Sequence, residues 1–154
     1  MVGASWASDS STVGYSAVPV VVSITIGPDF VDYGPMEAGD THIPTNGSGA
    51  PIITNSGTVP CDLEIKGSNA ESPTTLHAWT LSDTAGPSTY VHRASPNGDL
   101  VPAVVLNANN YSSFKAALDP DTGQTLVTEI DAPTDFEGDV SPHEFEISVL
   151  ATIT

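Results

Sequence analysis

Two apolar, β-branched runs joined by a turn dominate the pattern between Pro51 and Gly67. In the second run apolar and charged positions alternate strictly, with Cys61, Leu63 and Ile65 set against Asp62, Glu64 and Lys66. Because successive side chains of a strand point to opposite faces, the apolar set is predicted to be buried and the charged set to face water. The connecting Asn55-Ser56-Gly57 supplies residues that accept the positive φ of a tight turn, so the pattern predicts a β-hairpin.

Similar runs recur along the chain and predict further strands at residues 18–26, 76–81, 100–106, 126–130 and 143–152. Pro102 interrupts one of them, and a proline that cannot donate to a ladder predicts an edge position. The connections carry Pro and Gly rather than helical patterns, so roughly eight to ten short strands in mostly antiparallel sheets are expected. The predicted fold is all-β, a single antiparallel β-sandwich of Ig-like or jelly-roll type.

The first part of the chain lacks a core pattern. Residues 1–16 are rich in serine, and their aromatic side chains are Trp6 and Tyr15. We interpret this stretch as an extended N-terminal arm preceding one sandwich domain at residues 17–154. Trp6 and Tyr15 are candidate assembly residues, since aromatic anchors dominate interface energetics. The alternative is that Trp6 folds back onto its own domain.

The charge balance narrows the classes of partner. The chain has 19 acidic residues against Lys66, Arg93 and Lys115, and its net charge is -16. Such a surface repels phosphates, so no nucleic-acid partner is expected. Subunits that carry this charge repel one another, and the repulsion weakens as salt screens the charge. The single cysteine, Cys61, has no partner for an internal disulfide and is expected in the core. No apolar run is long enough to predict membrane insertion.

Several short motifs together resemble a known class of sandwich protein. They are Asp32-Tyr33-Gly34, Ala38-Gly39-Asp40, the stretch from Ile53 to Pro60, Gly67, and Ala132-Pro133-Thr134. In spacing and turn chemistry they resemble Ig-like or jelly-roll subunits of bacterial and archaeal surface layers and biofilm fibres, and of some virion surfaces. The resemblance covers most of residues 18–152 and implies a structural role. The opening Met1-Val2-Gly3 carries no leader pattern, which favours the virion interpretation over secretion.

The chemistry-bearing residues do not form an enzyme motif. The four histidines, His42, His77, His92 and His143, have no ligand spacing and are expected on surface strands and loops. Gly47-Ser48-Gly49 is not a nucleophile turn, so no enzyme is expected. Calcium is the one weak cofactor candidate, through the acidic turns that contain Asp119, Asp121, Asp131, Asp135, Glu137 and Asp139. Their spacing does not match an EF-hand, and two solvated acidic turns are the alternative.

These observations lead to three functional hypotheses. The first is a non-enzymatic structural protein on the surface of a virus particle, a capsid decoration or tail subunit that binds itself and a major capsid or other shell protein. The second is an extracellular filament or surface-layer subunit whose arm completes a neighbour's sheet by strand addition. The third is a carbohydrate-binding module, for which Trp79, Tyr90 and Tyr111 would have to line one exposed face.

Overall fold

The computed structural model describes residues 16–44, 50–73, 77–96, 98–138 and 141–154. Within these residues the chain is all-β, as predicted, and contains twelve strands and no helix. The strands are β1 (Ile24–Gly27), β2 (Thr41–His42), β3 (Ile52–Asn55), β4 (Cys61–Gly67), β5 (Ala70–Glu71), β6 (Ala78–Leu81), β7 (Thr89–Ser95), β8 (Val104–Val105), β9 (Ser112–Leu118), β10 (Gly123–Thr125), β11 (Val127–Asp131) and β12 (Ile147–Ile153). Trp6, Tyr15 and Asp139 lie outside the described residues, so the division into arm and domain stays a prediction.

The strands form three sheets rather than the two of a simple sandwich. Their orders are β1-β3-β10, β2-β11-β7-β6-β5 with β8 on β7, and β12-β4-β9. The pairings are antiparallel except between β6 and β7, which run parallel. The single antiparallel sandwich is therefore not confirmed in its details, because strand orientation is mixed and the layers are divided.

The predicted hairpin over Pro51–Gly67 is wrong. β3 pairs with β1 and β10, whereas β4 pairs with β12 and β9, so the two runs belong to different sheets. The buried Asn55 explains the difference. Its Nδ2 donates to the carbonyls of Val59 (2.9 Å) and Leu118 (2.8 Å), and its Oδ1 accepts from the N–H of Gly57 (2.9 Å). These bonds hold the connection open as an arch between sheets.

The alternation within β4 is confirmed. Cys61, Leu63 and Ile65 are fully buried. They belong to one contiguous core that also takes Ile53 from the first sheet and Ile130 from the second. Burying an aliphatic side chain of this size stabilises the fold by about 1.5–3 kcal/mol. This shared core holds the three sheets together.

Two other predicted strands are shorter than expected. Of residues 18–26 only the last part is β1, because the preceding segment bonds to the arch instead of to a strand. Ser23 and Val21 accept through their carbonyls from the N–H groups of Ser56 and Thr58, both at 2.9 Å. A Cβ at Gly57 would collide with the Val21 carbonyl, so the arch needs glycine there. Of residues 100–106 only β8 is a strand, and it pairs with β7 alone among the described strands.

Candidate assembly surface

Arg93 ties together three strands of the large sheet. It lies on β7 opposite Glu129 of β11, with Nη1 3.0 Å from Glu129 Oε1 and Nη2 2.6 Å from Asp131 Oδ2. Thr41 of β2 donates to the other oxygen of Asp131 at 2.7 Å. The hydrogen bond from Arg93 lowers the pKa of Asp131 and the same contact raises the pKa of Arg93. One of the three cations is therefore committed to holding the fold.

The calcium candidates are not brought into one site by the described residues. Asp131 is paired with Arg93, while Asp119 and Asp121 lie in the turn between β9 and β10. Asp135 accepts through Oδ1 from the N–H of Glu137 at 2.8 Å, which closes a separate turn. Within the described ranges no three His, Cys, Asp or Glu side chains converge as metal ligands would. Calcium stays an untested prediction, since Asp139 is outside those ranges.

His92 is a core residue and not the surface residue that the sequence predicts. It is fully buried, its Nε2 lies 2.9 Å from the Tyr33 hydroxyl, and that hydroxyl donates to Thr128 Oγ1 at 2.6 Å. Because the Tyr33 proton is engaged, His92 donates from Nε2, and its Nδ1 has no hydrogen-bond partner among the described residues. Burial lowers the pKa of His92 to about 3, so the ring is neutral at physiological pH. The hydrogen bonds among Tyr33, His92 and Thr128 satisfy polar groups inside the core and help to hold it together.

The aromatic residues named for carbohydrate binding do not form an exposed platform. Trp79 is 7% exposed and stacks on Phe136 at 5.3 Å between ring centroids, and Tyr90 is fully buried. Tyr111 is 38% exposed, but the Lys66 ammonium lies 5.0 Å from its ring centroid. Its neighbours in sequence line an open depression of about 540 Å³. A sugar-stacking face would rest on Tyr111 alone among these three residues.

Aliphatic side chains are exposed at the margins of the sheets. The segment leading into β1 exposes Val18 by 79% and Val20 by 63%. On β12, Leu150 is 39% exposed and Ile153 is 61% exposed. Single exposed apolar residues are common on protein surfaces, so these four residues become candidates for a contact surface only where the backbone around them is also open to pairing.

β12 has the least protected outer edge among the described strands. It pairs with β4 on one side through an unbroken register of seven residues, and no described strand pairs with its other side. Its sequence, ISVLATI, has no charge and no proline. Alternate residues of an edge strand direct their N–H and C=O groups outward, so the edge offers a free ladder.

The other margins of the sheets carry features that discourage pairing. β2, β5 and β8 have two residues each, β10 has three, and β1 is followed at once by Pro28. β9 pairs with β4 through two register shifts, and Ala117 within it has a φ of 49°. Short length, proline and irregular backbone are the usual protections of a sheet edge. Among the described edges, β12 is the long regular one.

Sequence reasoning located the final strand but not its place in a sheet. Alternation reports which face of a strand is buried, and it carries no information about which strands lie on either side. The available signal was the absence of charge from residues 147–153 in so acidic a chain.

The described residues include no helix long and apolar enough to cross a membrane. No protein-family model matches the chain, and no curated protein matches it in sequence.

Proposed function

We propose that this protein is a non-enzymatic structural subunit that assembles through the edges of its sheets, as a capsid decoration or tail subunit on a virus particle. The observation that supports the proposal is the uncharged edge of β12, which no described strand covers, in a protein of net charge -16. An edge of this kind promotes association unless a partner covers it. The proposed partners are other copies of the chain and a major capsid or other shell protein.

The proposed architecture is an Ig-like or jelly-roll β-sandwich with divided layers. It is supported by one core shared among three all-β sheets and by the resemblance of the turn motifs. A rigid sandwich with an acidic exterior suits a particle surface, because net charge keeps unassembled subunits apart. Attachment to a shell then relies on apolar contacts and strand pairing, for which few cations are needed.

A filament or surface-layer subunit is the second candidate. The β12 edge favours it as well, because strand addition to an open edge is the usual way in which such fibres are joined. The two candidates place the protein differently: on the virion surface, or at the cell surface and outside the cell. The mode of assembly is shared, so location decides between them.

Immunogold electron microscopy of native material tests the proposal. Antibody raised against the purified chain is expected to label the outside of icosahedral heads or tails. Labelling of fibres or of a cell-surface lattice would favour the second candidate. Light scattering from the purified protein, measured alongside, is expected to show defined oligomers. Both candidates are contradicted if the protein is monomeric at every salt concentration and the antibody labels no ordered structure.

A further inference from the structure

The sequence of β12 has an internal symmetry that its structure makes relevant. Read from either end, ISVLATI has the same classes of residue at the same places, with isoleucine outermost, then a hydroxyl residue, then a small aliphatic residue, and leucine at the centre. An antiparallel partner with the same sequence therefore meets each class with its own kind. β-Branched and hydroxyl pairs of this sort stabilise cross-strand contacts.

We propose that the outer edge of β12 pairs with β12 of a second copy, antiparallel, about a two-fold axis beside Leu150. The inference rests on the proposed function, because it names the contact through which the subunit associates with itself. The sheets β12-β4-β9 of two copies then become one six-stranded sheet. Opposed residues are Leu150 with itself, Ser148 with Thr152, and Ile147 with Ile153. An isologous contact of this kind closes on itself as a dimer.

The pairing gives each exposed side chain of β12 a contact. Leu150 lies on the outer face, since its register partner on β4 is the half-exposed Glu64, and it would be covered by its own copy. Ile153 is 61% exposed at the end of the strand and would be covered by Ile147 of the second copy. Ile147 itself already packs against the core, so this second row extends the core across the axis.

The charges on β4 are compatible with this register. Lys66 lies opposite Ser148 and Asp62 lies opposite Thr152, so the pairing aligns Lys66 of each copy with the partner's Asp62. Glu64 lies opposite Leu150 and is aligned with its own copy. The two β4 strands are three strand spacings apart, about 14 Å. Two attractive pairs and one repulsive pair at this distance contribute little to the free energy of association, because the Debye length is about 8 Å at 0.15 M salt.

Cysteine cross-linking tests the pairing and its register. Cα atoms of opposed antiparallel residues are about 4.5–5.5 Å apart, within the range that a disulfide spans. With oxidised glutathione, Leu150→Cys is expected to give a disulfide-linked dimer. A mixture of Ser148→Cys and Thr152→Cys chains is expected to give the mixed dimer, and Thr152→Cys alone is not. The native Cys61 is fully buried, and Ile52→Cys, on the central strand of another sheet, is the matched control.

Sedimentation equilibrium measures the same contact without a covalent bond. Leu150→Glu places two carboxylates opposite each other and removes apolar contact, so the dimer dissociation constant is expected to rise at least about tenfold. Ile52→Glu adds the same charge at a site that is 47% exposed and is expected to leave the constant unchanged.

The outcomes separate this inference from the proposed function. No dimer from Leu150→Cys, or equal cross-linking of Thr152→Cys alone, overturns the β12 pairing even if antibody labels particles. Cross-linking of added Leu150→Cys chains to a different protein of the native assembly overturns the choice of a second copy. If the unmutated chain is a folded monomer and Leu150→Glu lowers its free energy of unfolding, the chain's own residues cover the edge and the pairing is overturned. Dimerisation without any labelled particle or fibre leaves the pairing standing and contradicts the proposed function.

Discussion

Asn55 decides the path of the chain at the residue scale. An amide in a hairpin turn would point to solvent, but this one is fully buried and makes three side-chain hydrogen bonds. The bonds to Val59 and Gly57 shape the arch, and the bond to Leu118 anchors the arch to β9. One side chain therefore links the end of β3, in the first sheet, to the end of β9, in the third.

Replacing Asn55 by alanine is expected to lower the free energy of unfolding by about 3 kcal/mol. The reason is that two carbonyls and one N–H would remain buried without their partner. Asn107 is the control, because within the described residues its exposed side chain accepts from the N–H groups of its neighbours Asn109 and Asn110. Urea unfolding of Asn107→Ala is expected to show a loss under about 1 kcal/mol. Equal losses in the two variants would contradict the role assigned to Asn55.

The register of β4 makes a second prediction for single residues. Leu63→Asp is expected to prevent stable folding, because an unpaired buried carboxylate costs several kcal/mol, comparable to the stability of a domain. Glu64→Ser is expected to be close to neutral, since Glu64 is half-exposed on the opposite face. Thermal unfolding by circular dichroism compares them. Similar melting temperatures in both variants would show that the inward face is wrongly assigned.

At the scale of elements, polar contacts fix strand order where the apolar pattern does not. Arg93 on β7 reaches two carboxylates of β11, and one of those accepts from Thr41 on β2. The contact spans three strands of the large sheet. β2 has only two residues, so backbone pairing alone anchors it weakly, and the hydrogen bond of Thr41 adds to it.

The Arg93 contact predicts a pH dependence. Because the pKa of Asp131 is lowered in the folded protein, its stabilisation is present above the unfolded value of about 3.9 and is lost as pH falls through the lower folded value. Asp131→Asn is expected to unfold about 1 kcal/mol more easily at pH 7, with the difference shrinking below pH 4. The exposed Asp29→Asn is the control of equal charge. A difference that stays constant with pH in urea titrations refutes the ion pair.

At the scale of the whole molecule, acidity opposes the assembly that we propose. Each copy has net charge -16, and its few cations cannot neutralise a neighbour. The described contacts also engage two of the three, Arg93 with carboxylates and Lys66 over the Tyr111 ring. The self-association proposed above would therefore have to use uncharged surface, such as the edge of β12.

Self-association is accordingly expected to tighten as ionic strength rises from very low values. The Debye length shortens from about 30 Å at 0.01 M to about 8 Å at 0.15 M, so repulsion between copies fades. Divalent cations are expected to act more strongly than sodium at equal ionic strength. Light scattering or subunit release from native assemblies, followed against sodium and calcium, measures this. Release that grows steadily with moderate salt would instead indicate attraction to a basic shell protein.

The sequence by itself determined the all-β class and the buried face of the central strands, although not the bounds of every strand. The alternation through Cys61, Leu63 and Ile65 is local, and it stays the same whichever strand lies alongside. The same holds in β11, where Thr128 and Ile130 are buried as the pattern predicts. Burial of a face is encoded at period two in neighbouring residues, so a short window is sufficient to predict it.

Only the tertiary structure decided which strands pair. The Asn-Ser-Gly turn is compatible with a hairpin, but the bond from Asn55 to Leu118, 63 positions away, makes it an arch. The parallel pairing of β6 with β7, the burial of His92 and the edge position of β12 likewise depend on residues distant in sequence. Which strands pair depends on packing among residues that are distant in sequence, and a local pattern carries no information about it.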